Sequence, residues 1–263
     1  MARTPEGPPP PPAVQKLRVR YAKRGRLRFT SHRDIQRSLE RALRRADIPM
    51  AYSAGFSPHP KVSYAGAAPT GTASEAEYLE ISVSELCSPA AIRVALDESM
   101  PPGLDVLEVV QATAGNLADR LQASTWRIEL PGIGPGQVTP AVSAFLAAPE
   151  VMVQRMMKNG LRTFDTRAAV HTLAVEPDSA GDEQAVGPGG EDDAGESQGT
   201  GCAILRAVVR HTTPAVRPDD VLTALRVVAD LVPPFAPRVT RLAQGPLDDA
   251  TGAVSDPLEP DRT

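Results

Sequence analysis

His59 stands between Pro58 and Pro60 and next to Lys61, inside the stretch YSAGFSPHPKVSY at residues 52 to 64, which carries a tyrosine at each end. An imidazole takes or gives a proton near neutral pH, and a neighbouring cation steadies the charge of a phosphorane. His59, His32 and Lys61, with Tyr52 and Tyr64, are therefore the parts needed for metal-free RNA cleavage. Pro58 and Pro60 fix their own φ and push Ser57 and His59 into extended backbone, while Gly55 permits a positive φ, so the imidazole is held on a stiff loop. Stiffness serves binding as well as catalysis, and no spacing rule ties these residues to cleavage. A structural turn whose histidine touches a carbonyl or a phosphate would use the same residues. No catalytic residue is assigned: His59 and His32 are candidates, and Tyr52, Gly55, Phe56, Pro58, His59 and Pro60 make up a motif loop. His171 and His211 read as ordinary surface or core residues.

Other chemistry is thinly represented. GIGPGQ at 132 to 137 lacks the third glycine of a dinucleotide fingerprint, and its proline argues for a turn. There is no Walker lysine motif and no HExxH. Cys87 and Cys202 lie far apart, outside any CxxC or Cys/His cluster, so they define no closed metal or iron–sulfur site; neither metal nor cofactor is expected.

The basic residues are more informative. From Lys16 to Ile48 twelve lysines and arginines face three acids. KLRVRYA alternates Leu17, Val19 and Tyr21 with Lys16, Arg18 and Arg20, which predicts a strand. RLRFT repeats the alternation with Arg26 and Arg28 against Leu27 and Phe29, which predicts a second. The period of two puts these arginines opposite the core. Ser31 then reads as a helix N-cap with Asp34 three residues on, and Ile35, Leu39, Ala42, Leu43 and Ala46 follow at helical spacing until Pro49. Arg33, Arg37, Arg41 and Arg44 form a stripe beside that apolar one. A solvated helix face, with Arg37 and Arg44 answering Glu40, is the plainer reading of the stripe. Guanidinium groups, however, grip phosphate oxygens in pairs and stack on bases, which suits single-stranded RNA or an RNA loop. Arg18, Arg20, Arg28, Arg33, Arg37, Arg41 and Lys61 are the expected nucleic-acid contacts.

Further elements position this surface. Short strands are expected around 49 to 53 and 60 to 66, then a strand at EYLEISV, a helix at SPAAIRVALDESMPPG and a strand at LDVLEVVQA. The second half repeats the grammar: strand TWRIEL, helix TPAVSAFLAA, strand VMVQRM turning at Asn159 and Gly160, strand CAILRAVVR, helix PDDVLTALRVVADL and strand RVTRLA. Strand–helix–strand units with short connections favour an α+β fold of two ferredoxin-like α/β sandwich halves with antiparallel sheets. The expected organisation is a disordered Pro-rich tail at 1 to 15, a first half at 16 to 112 with the basic surface, and a second half at 124 to 175 plus 202 to 243. An acidic disordered insertion at 176 to 201 and a disordered acidic tail at 244 to 263 complete it.

The formal charge of -4 conceals a segregation. Setting aside the 14 acids of the three segments expected to be disordered, with Arg3 and Arg262, leaves 26 basic against 18 acidic residues, so the body is basic by eight charges. A basic body with acidic flexible segments suits a polyanion-binding surface with a built-in competitor, and equally a basic protein kept soluble by its linkers. Nothing reads as a secretory leader or a membrane span, which gives a cytoplasmic location as the default and no membrane partner.

The segments LRFTSHRDI, ERALRRADIP, YSAGFSPHPK and GTASEAEY occur in order within residues 16 to 81, and by them the chain resembles the radical-SAM-linked bacterial protein family, whose domain has no assigned function. In many members this domain follows a radical SAM module bearing a CxxxCxxC motif, which this chain lacks. The resemblance implies a stand-alone accessory domain, acting with a separate radical SAM enzyme in trans and tied to RNA or ribosome modification, without established catalytic residues. Three functions follow as expectations: an RNA- or ribonucleoprotein-binding accessory protein, a metal-independent ribonuclease using His59 or His32, and a purely protein-binding adaptor.

Overall fold

The computed structural model describes residues 10–54, 56–113, 115–158, 160–177 and 201–262. The expectations for Gly55 and Asn159, for the first nine residues and for most of the acidic insertion lie outside them. The described chain is a mixed α/β protein whose strand pairs are mostly antiparallel. It divides into two units, Met1–Ser124 with Thr240–Thr263, and Thr125–Val239.

In the first unit, the alternation read from KLRVRYA produces β1 (Gln15–Lys23), which pairs antiparallel with β3 (Ala73–Val83) on one side and β4 (Leu104–Gln111) on the other. Leu17 lies opposite Ile81 and Val19 opposite Leu79, so the buried residues of both strands share one face. Against that face pack α1 (His32–Arg45), through Ile35, Leu39, Ala42 and Leu43, and α2 (Pro89–Ser99), through Ile92 and Leu96. The Ser31 side chain accepts from the Asp34 amide at 3.2 Å, which starts α1 where the sequence places its cap. β2 (Val62–Ala65) pairs antiparallel with β3, giving the strand order β4-β1-β3-β2.

Two expectations are corrected here. RLRFT is not a strand: Gly25–Phe29 forms a 3-10 helix, entered through Gly25 at φ +53°, directly after the register of β1 shifts between Tyr21 and Lys23. With the chain turning there, Arg26 and Arg28 gain no strand partner and no sheet face. The residues from 244 to 262 are not a free acidic tail either. After the short α3 (Leu117–Arg120), Leu117, Leu121 and Leu258 enclose an apolar cluster with Ala76, Tyr78 and Val110, and Asp261 is 4 % exposed. Apolar burial and ion pairing together hold a segment whose composition alone suggests solvation.

The second unit contains β5 (Ala123–Pro131), whose first two residues belong to the first unit, then α4 (Pro135–Ala147), a hairpin of β6 (Met152–Met157) and β7 (Gly160–Asp165), β8 (Val170–Val175), β9 (Cys202–Arg210) and α5 (Pro218–Ala229). β8 pairs antiparallel with β9, and β6 pairs with β7 as a separate two-stranded sheet. Val138, Phe145, Val221 and Leu225 of its helices pack on Ile128, Leu130 and Leu205. The boundary between the units falls inside β10 (Arg238–Gly245), whose Thr240 and Arg241 lie parallel to Ala73 and Ser74 of β3.

Candidate functional site

The first turn after α1 returns the chain to the sheet edge. Met50 bridges Val83, and the Ala51 amide donates to the Ser82 carbonyl at 2.8 Å. From there the motif loop closes on itself: Tyr52 bridges Pro60, the Ser53 amide donates to the His59 carbonyl at 2.9 Å, and the His59 amide donates to Ser53 Oγ at 3.1 Å. The Lys61 amide donates to the Ala51 carbonyl at 2.8 Å, and its own carbonyl accepts from Ser82 at 3.0 Å, so the loop is anchored at both ends by β-type bonds. The two prolines are thus embedded in a hydrogen-bonded frame that restricts the backbone around His59.

Between this loop and the C-terminal half of α1 lies a cleft of about 120 Å³. Glu40 and Arg44 of the helix, Met50 and Tyr52 of the returning chain, and Pro58 and His59 of the loop contribute to its walls. The spacing connects Glu40 to Arg37 and Arg44, but among the described residues neither lies within 4.0 Å of its carboxylate. Arg37 Nη1 meets Asp34 at 3.4 Å, and Arg44 Nε donates to the Glu40 carbonyl at 3.2 Å. Beside Glu40, Tyr64 is half-buried, and among the described residues no group pairs with its hydroxyl. Burial, together with the Glu40 carboxylate, pushes that hydroxyl well above the ordinary tyrosine range. The His32 ring meets the Tyr64 ring edge-on at 5.2 Å and bonds to Gln36 Nε2 at 3.0 Å. His59 is a wall of the cleft, whereas His32 belongs to this separate aromatic contact.

The structure sorts the expected phosphate contacts into two groups. Arg33, Arg37, Arg41 and Arg44 are exposed on α1, and among the described residues no carboxylate lies within 4.0 Å of Arg33, Arg41 or Arg44. Arg41 donates to Ser38 Oγ at 3.1 Å. Lys61 is exposed, Arg28 sits over the Phe29 ring at 4.7 Å, and Phe29 and Phe56 are 61 % and 69 % exposed. These aromatics are open to stacking.

Arg18 belongs to the other group and is a correction. It is 1 % exposed, with Nε on Glu80 at 2.9 Å, Nη1 on Asp261 at 2.6 Å and Nη2 on the Gly115 carbonyl at 2.6 Å. Arg120 Nη1 reaches the same Asp261 carboxylate at 2.6 Å, and the Thr113 amide and hydroxyl add bonds at 3.0 and 2.7 Å. Burial alone would raise the Asp261 pKa, but the bonds from Arg120, Arg18 and Thr113 outweigh it and hold the carboxyl well below the usual range. Arg20 is half-buried, donates to the Glu75 carbonyl at 3.0 Å and lies 3.9 Å from Asp256. Part of the basic excess is therefore consumed inside the fold by the very acids whose composition suggested a disordered tail. No sequence signal marks this, because the partners are 243 residues apart.

Cys87 and Cys202 are free thiols. Among the described residues no group of three or more histidines, cysteines and acids could hold a metal ion, and no helix is long and apolar enough to cross a membrane.

The fold and site define a mixed α/β protein with an exposed arginine face beside a stiff, histidine-bearing cleft. Residues 16–218 match the family described as "Uncharacterized protein conserved in bacteria (DUF2344)", and the chain belongs to that family. A search of the curated proteins found no match.

Proposed function

We propose that this protein is an accessory factor that binds RNA or a ribonucleoprotein through the exposed face of α1 and the rim of the neighbouring cleft. The observation that carries this reading is the set Arg33, Arg41 and Arg44, exposed on one helix without a carboxylate within 4.0 Å among the described residues. A row of guanidinium groups with unanswered charge favours a polyanion, and Phe29 and Phe56 supply flat apolar surfaces of the kind on which unpaired bases stack. Arg37, Lys61 and Arg28 extend the set, and Arg18 leaves it. The resemblance of residues 16 to 81 supports a separate radical SAM enzyme as the partner in trans, with RNA or ribosome modification as the setting and the cytoplasm as the location. A ferredoxin-like topology for the first unit is supported by the element order β1-α1-β2-β3-α2-β4 together with the antiparallel strand order β4-β1-β3-β2.

The ribonuclease reading rests on His59 in the wall of the cleft with Arg44 and Tyr52. It requires cleavage that persists in chelator and disappears in His59→Ala while binding remains. Binding itself is tested by fluorescence anisotropy of a labelled single-stranded RNA with wild type and Arg33→Glu/Arg37→Glu/Arg41→Glu. Loss of binding in the variant is expected. Equal binding would remove this face from the account.

A further inference from the structure

A second cationic site lies in the second unit, on residues that composition and periodicity leave unmarked. The β6–β7 register sets Val153 opposite Phe164 and Arg155 opposite Arg162. Like charges directly across an antiparallel pair repel, so two facing arginines need an explanation. Half of it is internal. Arg155 stacks over the Phe164 ring at 5.0 Å, forms an ion pair with Asp220, and donates to the Ala215 carbonyl at 2.9 Å. Its charge is answered and its position fixed.

Asp220 Oδ2 also accepts from the Arg217 amide at 2.7 Å to cap α5, and the Arg155 and Arg217 charges both favour its ionised form. Arg162, Lys158 and the Arg217 side chain are exposed, and among the described residues none has a carboxylate within 4.0 Å. These three and Arg155 line one groove of about 510 Å³, with Met157 and Pro214 giving it an apolar wall. That volume falls in the range of small-molecule sites, and three exposed cations lining it beside the neutralised Arg155 select an anion. Asp219, exposed in the first turn of α5, is the other acid in the neighbourhood.

We propose that this groove binds a phosphate-bearing ligand of nucleotide size, with Arg162, Lys158 and Arg217 on the phosphate oxygens and Met157 and Pro214 against its less polar part. Arg155, already neutralised by Asp220, acts as the fixed floor that positions Arg162. The ligand's phosphate arises either from a free nucleotide or from the backbone of an RNA chain. This site is independent of the α1 face.

The test is titration of the full-length protein with inorganic pyrophosphate, a nucleoside triphosphate and a short single-stranded RNA, read by calorimetry and thermal shift. Wild type, Arg162→Gln and Lys158→Gln/Arg217→Gln are compared. At least one probe should raise the wild-type Tm and bind roughly tenfold more weakly to Arg162→Gln, the loss of about one charge-assisted bond, and more weakly still to Lys158→Gln/Arg217→Gln, which loses two. Arg162→Gln without ligand should melt no lower than wild type, because it removes a like-charge contact. Binding of pyrophosphate and triphosphate would identify a free nucleotide, and binding of the RNA alone a chain. The RNA arm is repeated on Arg33→Glu/Arg37→Glu/Arg41→Glu, so that loss of the α1 face leaves this site measurable. If no probe binds, or all bind both variants as they bind wild type, the proposal is overturned. Lys158→Gln/Arg217→Gln, confined to exposed side chains, keeps the test decisive should Arg162→Gln misfold.

Discussion

Replacing Asp261 by Asn removes the charge that organises the covered face of the first unit. In the folded protein Asp261 accepts from Arg18, Arg120 and both polar groups of Thr113, at distances of 2.6 to 3.0 Å. Deleting one partner of a buried pair costs on the order of 3 to 5 kcal/mol when the other is left bare. Here Arg18 keeps Glu80 and the Gly115 carbonyl, and Arg120 keeps the Pro257 carbonyl, so the loss should be smaller, about 2 to 3 kcal/mol. For a unit of this size that corresponds to a fall in Tm of roughly 4 to 12 °C. The pH dependence carries an independent signature. Because the folded pKa is depressed, the unfolded state binds more protons, so Asp261 contributes stability above its unfolded pKa, about 3.9, and this is lost as pH falls below it. Denaturant titration between pH 7 and pH 3 should show a steeper acid limb for wild type than for Asp261→Asn. Hydrogen exchange should locate the difference in β1 and β4. An unchanged Tm with superimposable acid limbs would mean that residues 244 to 262 are not docked and that Arg18 is not held by them.

Tyr64→Phe should raise stability by about 1 kcal/mol, because it removes a buried hydroxyl that has no partner among the described residues; chemical denaturation checks this, and a loss of stability would contradict it. Glu77→Gln breaks a pair with Arg241 in which both side chains are 3 % exposed, and should lower stability by about 3 kcal/mol in the same assay. Arg18→Gln should destabilise the protein, whereas Arg37→Glu, on an exposed helix face, should change stability by no more than about 0.5 kcal/mol; parallel melts distinguish the structural arginine from the surface one.

What the sequence displays is the local part of the fold. Ser31, Asp34 and the spacing of Ile35, Leu39 and Leu43 mark α1 because cap and period act within one turn of each other. Leu17, Val19 and Tyr21 mark β1 for the same reason. RLRFT misleads because it has the alternation of a strand but follows a register shift and a left-handed glycine, and turn geometry overrides the period. Arg18 shows the limit of reading a face: alternation puts it opposite the core, but residues distant in sequence, Leu117, Leu121, Leu258 and Asp261, determine that this opposite face is also covered. The cleft was half visible, since His59 and its prolines are contiguous, while Glu40 and Arg44 join it only through packing of α1. The cationic groove of the second unit was not visible, because Arg155, Arg162 and Arg217 are brought together by hairpin register and by the capping of α5.

The most direct measurement is the salt dependence of single-stranded RNA affinity for wild type and for Arg33→Glu/Arg37→Glu/Arg41→Glu. If the α1 face holds phosphates, log K should fall linearly with log salt for wild type, and the variant should bind weakly with a slope smaller by about 2, since each single-strand phosphate contact contributes roughly 0.7. Affinity that is indifferent to salt, or identical in the two proteins, would contradict the account.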